Sequence, residues 1–253
     1  MPDTLHINLS LDNICLFVDA DGTLLDIASR PESAKATSDT LEILGALYLA
    51  LGGALAIVSG RRIEDIDTLF APLRLPASGI HGAQLRRTPE HPISDAGIPD
   101  IPPSVEKIVQ EVAARHAGVF VEHKQKALAV HWRAAQERET ALLDELGAAV
   151  DRMEPELVIL RGHCVFEVKS PSSTKGEAVR DFMETEPFAG RTPIFIGDDV
   201  TDIAGFAAVK ALGGHAFSVG RKLEGADAVF ASPTEVRAWL GRLIETGKEA
   251  RSA

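Results

Sequence analysis

The residues of this chain best suited to chemistry lie in four short segments. They are Asp19-Ala20-Asp21-Gly22-Thr23, Ser59-Gly60-Arg61, Lys175-Gly176, and Gly197-Asp198-Asp199 with Asp202 following. Asp19, Asp21, Asp198, Asp199 and Asp202 cannot share one crevice without a cation, because like charges raise one another's pKa values. A hard, oxygen-seeking ion, Mg²⁺ above all, removes that conflict and is content with a few carboxylates plus phosphate oxygens. Such a site suits phosphoryl chemistry. One carboxylate attacks phosphorus, the metal and a lysine neutralise the spreading charge, and a second carboxylate shuttles the proton. Taken singly, each segment has an ordinary explanation. An Asp after a strand is often a cap or turn residue, and a lone lysine is usually a surface lysine. Their order and placement together favour the catalytic reading.

The elements that must position these residues are legible around them. Ile14 to Val18, Ala54 to Val58 and Ile194 to Ile196 are uninterrupted apolar runs, and each ends at one of the polar segments. Short unbroken runs are what strands look like when helices cover both faces of a parallel sheet. Leu41, Leu44, Leu47 and Leu51 recur at helical spacing, as do Ile63, Ile66 and Phe70. A helix is expected from near Lys175 through Val179, Phe182 and Met183, and a last one at Val236, Leu240, Leu243 and Ile244. Strands alternating with helices predict an α/β, Rossmann-like parallel-sheet core, in which ligands sit beyond the carboxyl ends of the strands.

The middle of the chain has another pattern. After Ile98-Pro99-Asp100-Ile101-Pro102-Pro103, a helix is expected over Val105 to His116 and a longer one over Ala134 to Met153. Four segments alternate with a period of two: Val119 to Lys124, Ala127 to Arg133, Leu157 to Arg161 and Cys164 to Lys169. That fits an antiparallel sheet with one covered face. Residues 102–169 therefore read as an inserted α+β domain within a core of residues 1–101 and 170–253. Leu128, Val130 and Trp132 with Phe166 and Val168 would meet the helices. Glu122, Lys124, His131, Arg133 and Glu167, joined by Arg161, would gather on the other face. Such a mixture of donors and acceptors is either a solvated face or what a polyhydroxylated sugar needs.

Composition excludes several classes. With 26 Lys plus Arg against 37 Asp plus Glu the net charge is −11, the wrong sign for a nucleic-acid binder. Cys15 and Cys164 each sit in an apolar run and read as small buried hydrophobes rather than a disulfide or zinc framework. Ile43 to Gly60 carries no charge, but Gly52-Gly53 divides it into helix, turn and strand rather than a membrane span. Met1 through His6 lack the basic start of a signal peptide, so a cytoplasmic location is expected, with no membrane partner and a monomer as the default.

Asp19-Ala20-Asp21-Gly22-Thr23-Leu24, Ser59-Gly60-Arg61, Lys175-Gly176 and Gly197-Asp198-Asp199-Val200-Thr201-Asp202 resemble, in order, the four signatures of the haloacid-dehalogenase-like (HAD-like) phosphatases. The inserted module resembles that family's second type of cap domain. The resemblance implies that Asp19 is the nucleophile, forming an aspartyl-phosphate, and Asp21 the general acid and then base. Ser59 would bind a phosphoryl oxygen with the Gly60 amide nearby, and Lys175 would hold nucleophile and phosphoryl charge. Asp198 would ligate Mg²⁺ with the Asp19 carboxylate and the Asp21 main-chain carbonyl, with Asp199 and Asp202 acting on the ion directly or through water.

Within that superfamily, Glu122-His123-Lys124, Ala129 to Arg133, Phe166 to Lys169, Ser78 to Ala83 and Phe217 to Gly220 resemble the trehalose-6-phosphate phosphatases. The implied reaction is Mg²⁺-dependent hydrolysis of a small-molecule sugar phosphate, trehalose 6-phosphate, to trehalose and phosphate. Gly60, Arg61, His81, Glu122, Lys124, His131, Glu167 and, more weakly, Arg133 would bind substrate. Three positions depart from the family's habit: Ile203 and Gln84 stand where acidic residues are common, and Ala20 where an aromatic residue is usual. Sucrose-phosphate and mannosyl-glycerate-type phosphatases remain alternatives at this level. So does a phospho-accepting receiver, although a receiver has no use for a second aspartate two residues past the first.

Overall fold

A computed structural model describes residues 10–27, 35–162 and 164–252 of the chain, with side chains to residue 245. Met1 through His6 lie outside the described residues. Along the chain run β1 (Ile14–Val18), α1 (Ser38–Ala50), β2 (Leu55–Val58), α2 (Ile63–Leu69), β3 (Ala77–Gly79) and β4 (Gln84–Arg86). Then follow α3 (Pro103–Ala113), β5 (Phe120–His123), β6 (Ala127–His131), α4 (Glu139–Met153), β7 (Val158–Gly162) and β8 (Val165–Lys169). The chain closes with α5 (Lys175–Met183), β9 (Thr192–Gly197), α6 (Ile203–Ala211), β10 (His215–Val219), β11 (Ala228–Phe230) and α7 (Pro233–Ser252). Two compact units result: Met1–Ser94 with Thr174–Ala253, and Asp95–Ser173.

The first unit is an α/β sheet in the order β11-β10-β9-β1-β2-β3-β4, parallel except for β4. Every residue of β1 and β2 is buried, as their unbroken apolar sequences require. Phe17 stands at the centre, stacked on Phe188 at 5.4 Å and tilted against Phe182 at 5.8 Å. Arg191 ties the sheet's lower end by donating to the carbonyls of Ile14 (3.2 Å) and Leu51 (2.8 Å). The three-residue strands β3 and β4 are too short to show a period in the sequence, and pairing of β3 with β2 and of β4 with β3 creates them.

The second unit is an antiparallel sheet in the order β5-β6-β8-β7. Leu128, Val130, Trp132, Phe166 and Val168 form one core with Val105, Val109 and Val112 of α3 and Leu142, Leu146 and Val150 of α4. The register puts Phe120, Glu122, His131 and Glu167 on the opposite face, since Phe120 pairs with His131, Glu122 with Ala129, and Ala129 with Glu167. Three sequence expectations change. Arg161 pairs with Phe166 and so belongs to the other face, because the alternation runs through β7 from Leu160, which pairs with Glu167. β6 ends at His131, so Arg133 lies beyond the strand in an exposed turn. The long helix also starts later than expected, at Glu139, because a 3₁₀ turn over Gln136–Arg138 precedes it.

No helix among the described residues is long and apolar enough to cross a membrane. Cys164 is only half-buried and has φ 59°, whereas Cys15 is fully buried, its Sγ 3.4 Å from the Met183 sulfur. Burial pushes the Cys15 thiol up to about 12, against the pull of Arg191. The thiolate is the reactive form, so below that pH Cys15 stays a protonated thiol. Alkylation of the native protein at about pH 8 is expected to spare Cys15, which reacts only after unfolding. Peptide mass spectrometry checks this, and equal labelling in native and unfolded samples would contradict the burial.

Candidate active site

β1 is flanked by β9 on one side and β2 on the other, so the chain's crossovers diverge there, the kind of place where open α/β sheets bind ligands. In-register pairing of Val18 with Ile196 brings the two strand ends level. The Asp19 amide continues the ladder, donating to the Ile196 carbonyl at 3.0 Å. Asp19 and Asp198, 179 places apart in the sequence, are thereby neighbours. One ligand atom each from Asp19, Asp198 and Asp202 lies within 4.8 Å of the other two.

Lys175 supplies the opposing charge. Thr174 caps α5 by accepting from the Glu177 amide at 3.1 Å, which sets Lys175 at the first helical position. Its Nζ donates to Asp19 Oδ1 at 2.7 Å and to Asp202 Oδ1 at 2.6 Å. All three side chains are buried, Asp202 completely. Asp202 Oδ2 in turn accepts the Asp199 amide at 3.0 Å, half of a capping box at the turn Val200–Asp202. Thr23 Oγ1 donates to Asp198 Oδ1 at 3.3 Å.

Two glycines make this packing possible. Gly22 has φ +78°, and a Cβ there would lie 2.2 Å from Asp198 Oδ2. A Cβ on Gly197 would lie 2.2 Å from the Asp202 carboxyl carbon. The signatures therefore need glycine for space as much as for backbone freedom.

The electrostatics follow from burial and crowding. Burial pushes the Asp19 carboxyl well above the usual range, with Asp202 and Asp198 adding to the push and Lys175 opposing it. Asp198 is lifted to about 6, first by burial and then by Asp202. Burial alone would lower Lys175, but the Asp19 and Asp202 carboxylates hold its proton and raise it above its ordinary range. Three carboxylates around one ammonium leave an excess of negative charge on oxygen donors, the donor chemistry a hard divalent cation takes.

The remaining predicted residues divide. Asp21 faces Arg61, whose Nε and Nη2 donate to its two oxygens at 2.6 and 2.7 Å. This bidentate pair keeps the Asp21 side chain out of the three-carboxylate group. Asp199 also stands outside that group, since its side chain caps the turn and lies 3.5 Å from Arg221. Ser59 follows β2 directly, buried, with its Oγ accepting the Arg61 amide at 3.2 Å. His81 is buried in a left-handed turn (φ 53°), close enough that a Cβ on Gly60 would lie 2.5 Å from its Nε2. Gln84 has a definite task, since its Oε1 accepts the Ile63 amide at 2.9 Å and so anchors the start of α2. Ile203 packs against the hydrophobic core, and Ala20 is part of it. In the second unit, His131 Nε2 and Glu122 Oε2 are 2.9 Å apart, and Lys124 Nζ donates to Glu167 Oε1 at 2.8 Å. The His131 hydrogen bond holds the Glu122 carboxyl below its usual range. Gly22, Thr23 and Gly197 have no individual role in the sequence reading. All three stand inside the signatures, but only their contacts with Asp198 and Asp202 reveal their use.

Residues 17–229 match the trehalose-phosphatase family. The chain is 37% identical over 236 residues to the trehalose-6-phosphate phosphatase of Escherichia coli K12, covering 93% of this chain and 88% of that protein. Among solved structures, the Aspergillus fumigatus trehalose-6-phosphate phosphatase superposes with a TM-score of 0.65 at 26% identity, covering 93% of each chain. The C-terminal domain of the C. albicans enzyme shares the fold, with a TM-score of 0.80 at 19% identity and 92% of each chain covered. With the match spanning both the strand-end signatures and the second unit, the chain belongs to the trehalose-phosphatase family.

Proposed function

We propose that this protein hydrolyses trehalose 6-phosphate to trehalose and phosphate, with Asp19 as nucleophile and Mg²⁺ as cofactor. The observation that carries the reading is the buried Asp19–Lys175–Asp202 bridge beside Asp198, at the carboxyl end of the central strand. The substrate is the one named for the E. coli relative. Asp19, Asp198 and Asp202 fit a divalent ion in number, donor type and spacing. Bound there, the ion would polarise the phosphoryl oxygens and neutralise their charge.

The chain's own groups perform the rest. An Asp19 carboxylate oxygen attacks phosphorus, forming the aspartyl-phosphate as the bond from phosphorus to the sugar oxygen breaks. Asp21, turning from Arg61 and taking up a proton from solvent, gives that proton to the leaving oxygen. Asp21 then takes a proton from water as the water oxygen attacks the same phosphorus, releasing phosphate and restoring the Asp19 carboxylate. Lys175 holds the other Asp19 oxygen throughout and fixes its direction of approach. Ser59, with the Gly60 amide, Arg61 and His81, attends the phosphoryl group. Glu122, Lys124, His131 and Glu167 take the sugar hydroxyls. Arg133, in its exposed turn, is a weaker candidate, and Asp199 supports the metal-binding turn as a cap rather than as a ligand.

Three measurements test this. Purified protein with Mg²⁺ is expected to prefer trehalose 6-phosphate over sucrose and mannosyl-glycerate phosphates, and to lose activity with a chelator and regain it with Mg²⁺. Preference for another sugar phosphate would overturn the substrate assignment. Asp19→Asn is expected to lower turnover by about four orders of magnitude while leaving the circular dichroism spectrum unchanged. Near-normal turnover would remove Asp19 as nucleophile. Gly22→Ala, which pushes a methyl group into Asp198, is expected to cost on the order of 100-fold in activity and to lower the melting temperature.

A further inference from the structure

Phe120 opens β5 on the same sheet face as Glu122, His131 and Glu167, yet it is 61% exposed. It sits directly opposite His131 in register. The two rings stack, with centroids 4.6 Å apart and planes 16° from parallel. His131 is itself held by Glu122 at 2.9 Å. The ring is therefore oriented from one side by an anchored imidazole while most of its surface stays in water. A single exposed aromatic is unremarkable by itself. An exposed aromatic fixed by stacking, at the edge of a cluster of carboxylate, imidazole and ammonium groups, is a different object.

We propose that Phe120 is a specificity-determining residue whose open ring face receives the C–H face of a pyranose, while the neighbouring polar side chains take that sugar's hydroxyls. The inference rests on the reading of this sheet face as the sugar-binding surface and adds the apolar half of the recognition. A pyranose ring has hydroxyl edges and an apolar face of C–H bonds. A site that only donates and accepts hydrogen bonds leaves that face in water. Small-molecule sites pair an aromatic or apolar wall with a few placed polar groups, and the Phe120–His131–Glu122 series has that composition.

Steady-state kinetics on trehalose 6-phosphate and on acetyl phosphate, which lacks a sugar, test it. Phe120→Leu keeps apolar bulk but removes the π-face, and is expected to raise KM for trehalose 6-phosphate about fivefold with kcat little changed. Phe120→Trp is expected to keep KM near the parent value. Both variants should match the parent enzyme on acetyl phosphate. A Phe120→Leu enzyme with parental KM for trehalose 6-phosphate overturns the inference and leaves the proposed reaction standing. Equal losses on both substrates, with the circular dichroism spectrum and melting temperature unchanged, also overturn it, because Phe120 would then act on the shared phosphoryl step and not on the sugar. A parent enzyme that hydrolyses acetyl phosphate but not trehalose 6-phosphate removes the substrate reading itself, and this inference with it.

Discussion

A buried ammonium between two buried carboxylates is the constraint on which the first unit's architecture depends. Lys175 cannot sit 3% exposed without anionic partners, and Asp19 and Asp202 cannot sit side by side without a cation. Each makes the others tolerable. The three come from the end of β1, the start of α5 and the turn after β9, so the charge group closes only when all three elements are in place. Removing Lys175 would leave two buried carboxylates without their cation, at a cost of about 3–5 kcal/mol.

The surroundings of that group are tuned by space rather than by further charge. Gly22 and Gly197 leave room for Asp198 and Asp202 where any side chain would collide. Thr23 steadies Asp198, and the Asp199 amide steadies Asp202. Arg61 holds Asp21 apart from the carboxylate group by two charge-assisted hydrogen bonds. The outcome is a division among five aspartates close in sequence motif but different in work. Three converge, one faces an arginine, and one caps a turn.

The second unit solves a different problem with a different periodicity. Its sheet buries one face against α3 and α4 and frees the other for paired polar groups. Glu122 with His131 and Lys124 with Glu167 satisfy one another, so the face is preorganised before any ligand arrives. Phe120 supplies the one large apolar surface beside them on that strand.

By itself, the sequence determined the strands that are hydrophobic throughout, the change from unbroken apolar runs to period-two alternation near residue 102, and the four polar signatures at strand ends. These are local properties, set by burial on one face or two and by side-chain type, so they can be read residue by residue. The α/β core followed from the first of these, and the resemblance to a phosphatase superfamily from the last. What only the tertiary structure decided was which polar groups meet. Whether Asp199 or Asp202 turns inward depends on a capping box, and whether Asp21 joins the carboxylates depends on Arg61, forty residues away. The short strands β3 and β4 exist because a neighbour pairs with them, and pairing of Leu160 with Glu167 and of Arg161 with Phe166 decides which face Arg161 takes. Pairing across the fold is a property of two distant segments at once, and no single stretch of chain carries it.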